Sequence, residues 1–438
     1  MGRTYRGGAR RPRTLAVGLT AVVAATSLAA CGSSGSGGES LDVWVYQDAS
    51  TAVQVDFVER FNEESDIDIN LVQVPGDDYQ DRMRTAMGGS NAPDLFFNWG
   101  AGSLSDFVAE DMIIDLTDEL EADLEFKNSF IPTILEGAMV DGRYYGIPMR
   151  GVQPVLLFYN QTLFDEVGAE PPETFDDFLA LVDLFQQEGV TPVALGGGDA
   201  WTELMWMEVL LDRYGGSEVF QRIQDGETEA WGDPAMEWAA ETVTDLVDRG
   251  TFGDNFRSVL YTDDAVSTYF ASGDAAMHLM GSWEYPNQLA NQPEFAENDL
   301  AYTTFPLIEE GVGHPGAVVG NPTNYWSVNS NLQAEGEEDR LEAAMEFLRM
   351  CASPEYSEAL IANGDVPATS DAQALLENHS LPEYAQFQYD VVSQAPTFQL
   401  SWDQAVPASQ KAPMTAAIQK LFAGQMSPEE FVDEMLAL

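Results

Sequence analysis

Cysteine, lysine and histidine are nearly missing from this 438-residue chain, which has two cysteines, three histidines and only Lys127, Lys411 and Lys420 as lysines. His278, His314 and His379 share no short ligand spacing and no HExxH pattern, which argues against a zinc site. Nineteen lysines and arginines face 73 acids, for a formal net charge of −54. That balance excludes a nucleic-acid partner, which needs a cationic face against phosphate. The acids are spread along the chain, the pattern of a solvated anionic surface such as high salt favours. Asp66, Asp68 and Asn70 mimic the opening of a calcium loop, but Leu71 stands where glycine is required and Asp77 where glutamate is. The glycine run 196–198 has neither the GxGxxG nor the GxxxxGK[ST] spacing, so no phosphate cradle is expected. No cofactor is implied, and internal repeats are not evident.

What is present begins with an address. Residues 1–14 carry five arginines and no acid, and an uncharged Ala/Val/Leu-rich run follows over 15–30. This is a basic region followed by an export core, and at about 16 residues it is short of the roughly 20 that span a membrane. It closes on Leu28-Ala29-Ala30-Cys31, which resembles the bacterial lipobox, and opens onto GSSGSGG, a flexible tether over 31–40. Cys31 is the expected lipidation site, and the globular body is expected on the outer face of the cytoplasmic membrane. Cys351 is then left alone, as a small buried apolar residue. Loss of the leader's arginines brings the net charge to about −59. About 400 mature residues suit two domains.

Along the body, 41–46 alternates as a strand, 51–64 has helical spacing, 67–74 alternates again, 78–87 is helical and 95–98 is an apolar strand. This alternation implies a parallel sheet with helical crossovers, in which ligands sit beyond the carboxyl ends of the strands. Gln47, Asp48 and Trp99 occupy such ends. A break at Arg150-Gly-Val-Gln153-Pro154 precedes an apolar strand over 155–159 and fits a hinge between lobes. The Gly/Pro/Asn-rich stretch 313–324 and the segment 364–367 are two further candidate crossings. Thr174 caps a helix over 175–188. Glycines 196–198 would let Asp199 and Trp201 approach a ligand closely. The stretch YFASGDAAMHLMGSWE (269–284) runs from helix end to buried strand to a turn that presents Trp283.

YGIP followed by VLLFYNQTLFDEVGAEPPETFDDF, then TPVALGGG, YFASGDAAMHLMGSW and the lipobox resemble, in this order, the family 1 extracellular solute-binding proteins of ABC importers. The resemblance implies an α/β fold of two lobes joined by crossing segments, with a sugar-sized cleft that closes on its ligand. The expected lobes are 41–152 with 310–364, and 153–309 with 365–438. It implies a sugar or oligosaccharide ligand, the membrane permease as partner, and action as a monomer without catalysis. By the same resemblance Trp283 and Trp402 fall at positions of sugar-stacking rings and Trp201 near a third. Gln153 and Arg150 fall at the hinge, Asp403 beside Trp402, and Asn321 in the second crossing. Such rings suit a pyranose, whose C–H faces stack on indole while planar Asp, Asn, Gln and Arg groups pair with its hydroxyl belt. Trp44, Trp206, Trp231, Trp238 and Trp326 are read as structural. A cationic solute such as a polyamine, caged by rings and acids, is an alternative cargo, and a glycosidase using two carboxylates is the alternative activity.

Overall fold

In β1 (Leu41–Tyr46), Leu41, Val43 and Val45 are fully buried, so alternate residues enter a core while the rest face outward. The helix Thr51–Glu64 covers that face with Val53, Phe57, Val58 and Phe61 and returns the chain to β2 (Ile69–Val74), parallel to β1. The computed structural model describes residues 40–438 except 77–78, 90 and 379–382; Cys31, its tether and His379 lie outside the described residues. Helix Tyr79–Met87 and β3 (Leu95–Asn98) complete the parallel set on the other side of β1. After the helix Ala101–Ala109 and a small hairpin of β4 (Met139–Val140) and β5 (Arg143–Tyr144), β6 (Ile147–Pro148) forms the sheet edge.

The second sheet is organised on β7 (Gly151–Asn160), ten consecutive buried residues. β9 (Ala275–Gly281), β10 (Leu300–Thr303) and β11 (Val318–Asn321) pair with it, and β8 (Thr191–Ala194) pairs with β9. β12 (Tyr325–Val328) returns to the first sheet and bonds β3 and β6, whereas β13 (Val366–Pro367) and β14 (Phe398–Leu400) belong to the second. The orders are β2-β1-β3-β12-β6 and β14-β11-β7-β9-β8. Each sheet carries its own buried core, one reaching from Leu41 to Met149 and from Tyr325 to Leu360, the other from Val155 to Ile308 with Val319, Tyr384 and residues 402–435. The molecule therefore has two lobes.

The break expected at 150–154 is a continuous strand. Pro154 is tolerated inside β7 because the strand changes partners there: Gln153 and Pro154 face β11, and the β9 pairing begins at Val155. The proline contributes only its carbonyl, which accepts from Ser282 N at 2.8 Å. The partner residue Gly320 has φ +148°, and a Cβ on it would lie 2.2 Å from the Gln153 carbonyl oxygen. The lobe edge expected at 310 also moves. Val312 and Gly313 donate to the Tyr214 and Arg213 carbonyls, and Val318–Asn321 is a strand of the second sheet, so the passage back to the first lobe is confined to 321–325. Thr174 accepts from Asp177 N and the Asp177 carboxylate accepts from Thr174 N, closing a capping box.

Candidate functional site

Strand direction fixes which loops face one another. β1, β3 and β6 run one way and release the chain at Tyr46, Asn98 and Pro148; β8, β9, β11 and β14 share a direction in the second sheet and end at Ala194, Gly281, Asn321 and Leu400. The segments leaving these ends carry Gln47, Asp48, Trp99 and Arg150 in the first lobe. In the second they carry Trp201, Trp283, Asn321 and residues 401–404, with Gln153 at the opening of β7. Loops at carboxyl strand ends build the crevice of an open α/β sheet.

On the second lobe Trp201 and Trp283 lie 6.2 Å apart between ring centroids, inclined by 55°, and Tyr261 meets Trp201 edge-on at 5.2 Å. Both indoles are half-buried. Gly281 makes room for Trp283, since an added Cβ would fall 2.1 Å from its ring. Glu284, buried in the first turn of the next helix, accepts from Ser267 Oγ at 3.0 Å and Gln288 Nε2 at 2.6 Å and bonds the Tyr261 hydroxyl. Burial, against these bonds, pushes its carboxyl up to about 7. Burial first, then the charges of Glu284 and of Asp48 in the opposite lobe, hold the Tyr261 phenol well above its ordinary value.

Glycines 196–198 serve packing, contrary to the expected approach to a ligand: Cβ atoms on Gly197 and Gly198 would strike the Phe256 ring and Leu260 at 2.6 and 2.7 Å. Asp199 is likewise internal, accepting from Tyr261 N at 2.7 Å and Thr262 N at 3.0 Å. This turn presents Trp201.

On the first lobe Arg150 is 2 % exposed. Its Nη1 donates to Asp48 Oδ2 at 2.5 Å, Nη2 to Thr51 Oγ1 at 3.2 Å, and the guanidinium lies 5.0 Å over Phe97. Thr323 Oγ1 donates to the Arg150 carbonyl at 2.7 Å, and buried Asp365 accepts from Ser50 Oγ at 3.3 Å. Burial pushes Asp365 up to about 6. Arg150 thus ties the first passage to the second through its carbonyl and has its charge taken up by Asp48. Trp99 belongs to an edge-on cluster with Phe97, Tyr46 and Tyr79 and remains half-buried, whereas Gln47 is exposed.

Trp402 departs from the expected stacking position. It is fully buried, stacked on Phe220 at 5.1 Å and edge-on to Trp231 at 5.6 Å in the second core. The helix Trp402–Ala405 turns the ring inward because Glu208 captures its backbone N–H and the Ser401 hydroxyl, each at 2.7 Å. Burial pushes Glu208 up to about 8. Asp403 is engaged by Lys411 at 3.2 Å and by Ser401 Oγ and Gln404 Nε2. Several buried amides lie on or just after the neighbouring strands. Gln153 and Asn321 are opposed in register, Gln399 is one position before Leu400, and Gln404 follows. Asn321 Oδ1, both amide atoms of Gln399 and Gln404 Oε1 are buried without a protein partner. Such groups are costly unless something bonds them. Sequence reasoning passed over Tyr261, Gln399 and Gln404; a glutamine alternating with Phe398 and Leu400 was the signal for the second.

Residues 45–358 match the model of the bacterial extracellular solute-binding protein family. The chain is 24% identical over 394 residues to the diacetylchitobiose binding protein of Streptomyces coelicolor, a match covering 86% of each. It is 25% identical over 203 residues to an ABC transporter extracellular-binding protein of Pyrococcus horikoshii, covering 46% of this chain and 44% of that one. A solved chitin oligosaccharide binding protein superposes with a TM-score of 0.79 at 24% identity, over 92% of this chain and 98% of the other.

Proposed function

Because the chain belongs to the bacterial extracellular solute-binding protein family, we propose that it captures a sugar or short oligosaccharide between its lobes and delivers it, unaltered, to the permease of an ABC importer. The observation that carries this reading is the Trp201–Trp283 pair at the strand ends of the second lobe, whose other strand ends carry amides with unspent hydrogen-bonding capacity. Indole plates cover the C–H faces of a pyranose, and amides bond its hydroxyls or N-acetyl groups. Closure favours only a guest that gains contacts from both lobes. A micromolar complex needs about 8 kcal/mol net, within reach of two stacked rings and several hydroxyl bonds.

The carboxylates argue for a neutral guest over a polyamine. Asp48 is paired with Arg150, and Glu284 is sequestered by Ser267 and Gln288. Neither is free to cage a cation or to serve as one of a pair of hydrolytic acids. The names of two of the relatives make diacetylchitobiose and longer chito-oligosaccharides the first probes, run against other sugars and polyamines in a thermal-shift panel. With the best sugar, Trp283→Ala is expected to weaken calorimetric affinity at least tenfold, about 1.4 kcal/mol; unchanged affinity removes the ring from the site.

The protein acts as a monomer held at the outer face of the membrane by lipid on Cys31. Cys31→Ala is expected to shift it from the membrane fraction to the medium, and continued membrane retention contradicts the anchor. No helix among the described residues is long and apolar enough to cross a membrane.

A further inference from the structure

The lobes touch directly at one end of the crevice. The helix Ala101–Ala109 follows β3 of the first lobe, and the helix Trp402–Ala405 follows β14 of the second. They approach so closely at Gly102 that an added Cβ would lie 2.7 Å from the Gln404 carbonyl oxygen and 3.0 Å from that of Val406. Beside this contact Lys411, on the second-lobe helix Ala408–Phe422, donates to Gln80 Oε1 of the first lobe at 3.0 Å while its ammonium lies 3.2 Å from Asp403 of its own lobe. It is one of three lysines in a chain of net charge −54. Its carboxylate partner is 11% exposed and the lysine itself 29%, so the ion pair is partly sheltered from solvent. The groove flanking the contact is lined from both sides, by Ser105 and Met139 of one lobe and Ala405 and Pro407 of the other.

From these contacts we infer that Gly102 and Lys411 form a latch between the lobes at this end of the crevice, and that Lys411 is a positioning residue setting ligand affinity through the closed state. The inference rests on the binding-by-closure reading above. Two physical facts carry it. A glycine is the one residue that lets a helix start pass beneath two carbonyl oxygens at this separation. The Asp403–Lys411 pair, fixed to one lobe, offers its remaining donor to the other only when the lobes are together. Free energy contributed by the latch to closure is free energy the ligand does not have to supply, because apparent affinity is reduced by the fraction of molecules not in the binding-competent state.

The test is small-angle scattering of the sugar-free full chain as wild type, Lys411→Met, Lys411→Arg and Gly102→Leu, followed by sugar titration of each. Lys411→Met and Gly102→Leu are expected to enlarge the radius of gyration at unchanged melting temperature. They should also weaken sugar binding three- to tenfold through faster dissociation, with Lys411→Arg restoring both readouts. Sugar-free profiles of both variants that superpose on the wild type overturn the latch. An affinity loss in Lys411→Met without a change in the sugar-free profile also overturns it, making Lys411 a direct ligand contact. Enlarged sugar-free profiles together with no sugar bound by any form, wild type included, keep the latch and overturn the cargo.

Discussion

Replacing Trp402 by alanine is expected to lower the stability of the fold by about 3–5 kcal/mol, the usual cost of deleting a buried aromatic. The ring is fully buried between Phe220 and Trp231 and contributes to the core formed by Leu421, Phe422 and Phe431. Its removal leaves a cavity that a helix of four residues, fixed at its start by Glu208, has little freedom to collapse. Trp402→Phe keeps most of the stacking on Phe220 and is expected to cost less than half as much. Urea unfolding of the three forms measures this. A melting transition left in place by Trp402→Ala, with sugar binding abolished, means that the indole faces the ligand instead of the core.

The second large effect is a loss of stability on going alkaline. Burial pushes Glu203 up to about 9, against only the pull of Arg257, and Glu208 up to about 8; Glu284 follows at about 7. The folded protein therefore holds protons that the unfolded chain releases near the ordinary carboxyl range. The stability these groups confer is fully present below about pH 4.5 and is lost as pH rises through 7 to 9. Unfolding free energy is expected to fall by several kcal/mol between pH 5.5 and 8.5, since each tenfold difference in proton affinity between folded and unfolded chain is worth roughly 1.4 kcal/mol. The net charge of −54 produces a slope of the same sign through self-repulsion. That part is screened by salt, so the titration belongs in about 1 M salt. Glu203→Gln, which keeps the shape and removes the titration, is expected to flatten the slope and to raise stability at pH 8.5. A slope unchanged in Glu203→Gln and Glu208→Gln contradicts the assignment.

Elements of both lobes were legible where their signals are local. The alternation in 41–46, the helical spacing of 51–64 and the Thr174 cap each depend on neighbours within a few residues. The indole at 283 was legible too, since a buried strand ending in Gly-Ser-Trp leaves the ring at a strand end. What the residues did not reveal depends on distant partners. Trp402 turns inward because Glu208, 194 positions away, captures its backbone N–H. The glycines of 196–198 answer to Phe256 and Leu260. Pro154 sits inside a strand because β7 exchanges one partner for another beside it, and the edge of the second passage moved because Val318–Asn321 found that same strand. Arg150 and Asp48, candidates from the hinge and from a strand end, meet each other across 102 positions of sequence.

Native mass spectrometry of the purified mature protein equilibrated with a mixed chito-oligosaccharide and neutral-sugar library tests the central claim most directly. The expected result is one added mass per chain, equal to an intact sugar of the library and absent or much reduced in Trp283→Ala. Bare protein across the whole library, or a bound mass matching only a cleaved fragment, would contradict capture of an unaltered sugar between the lobes.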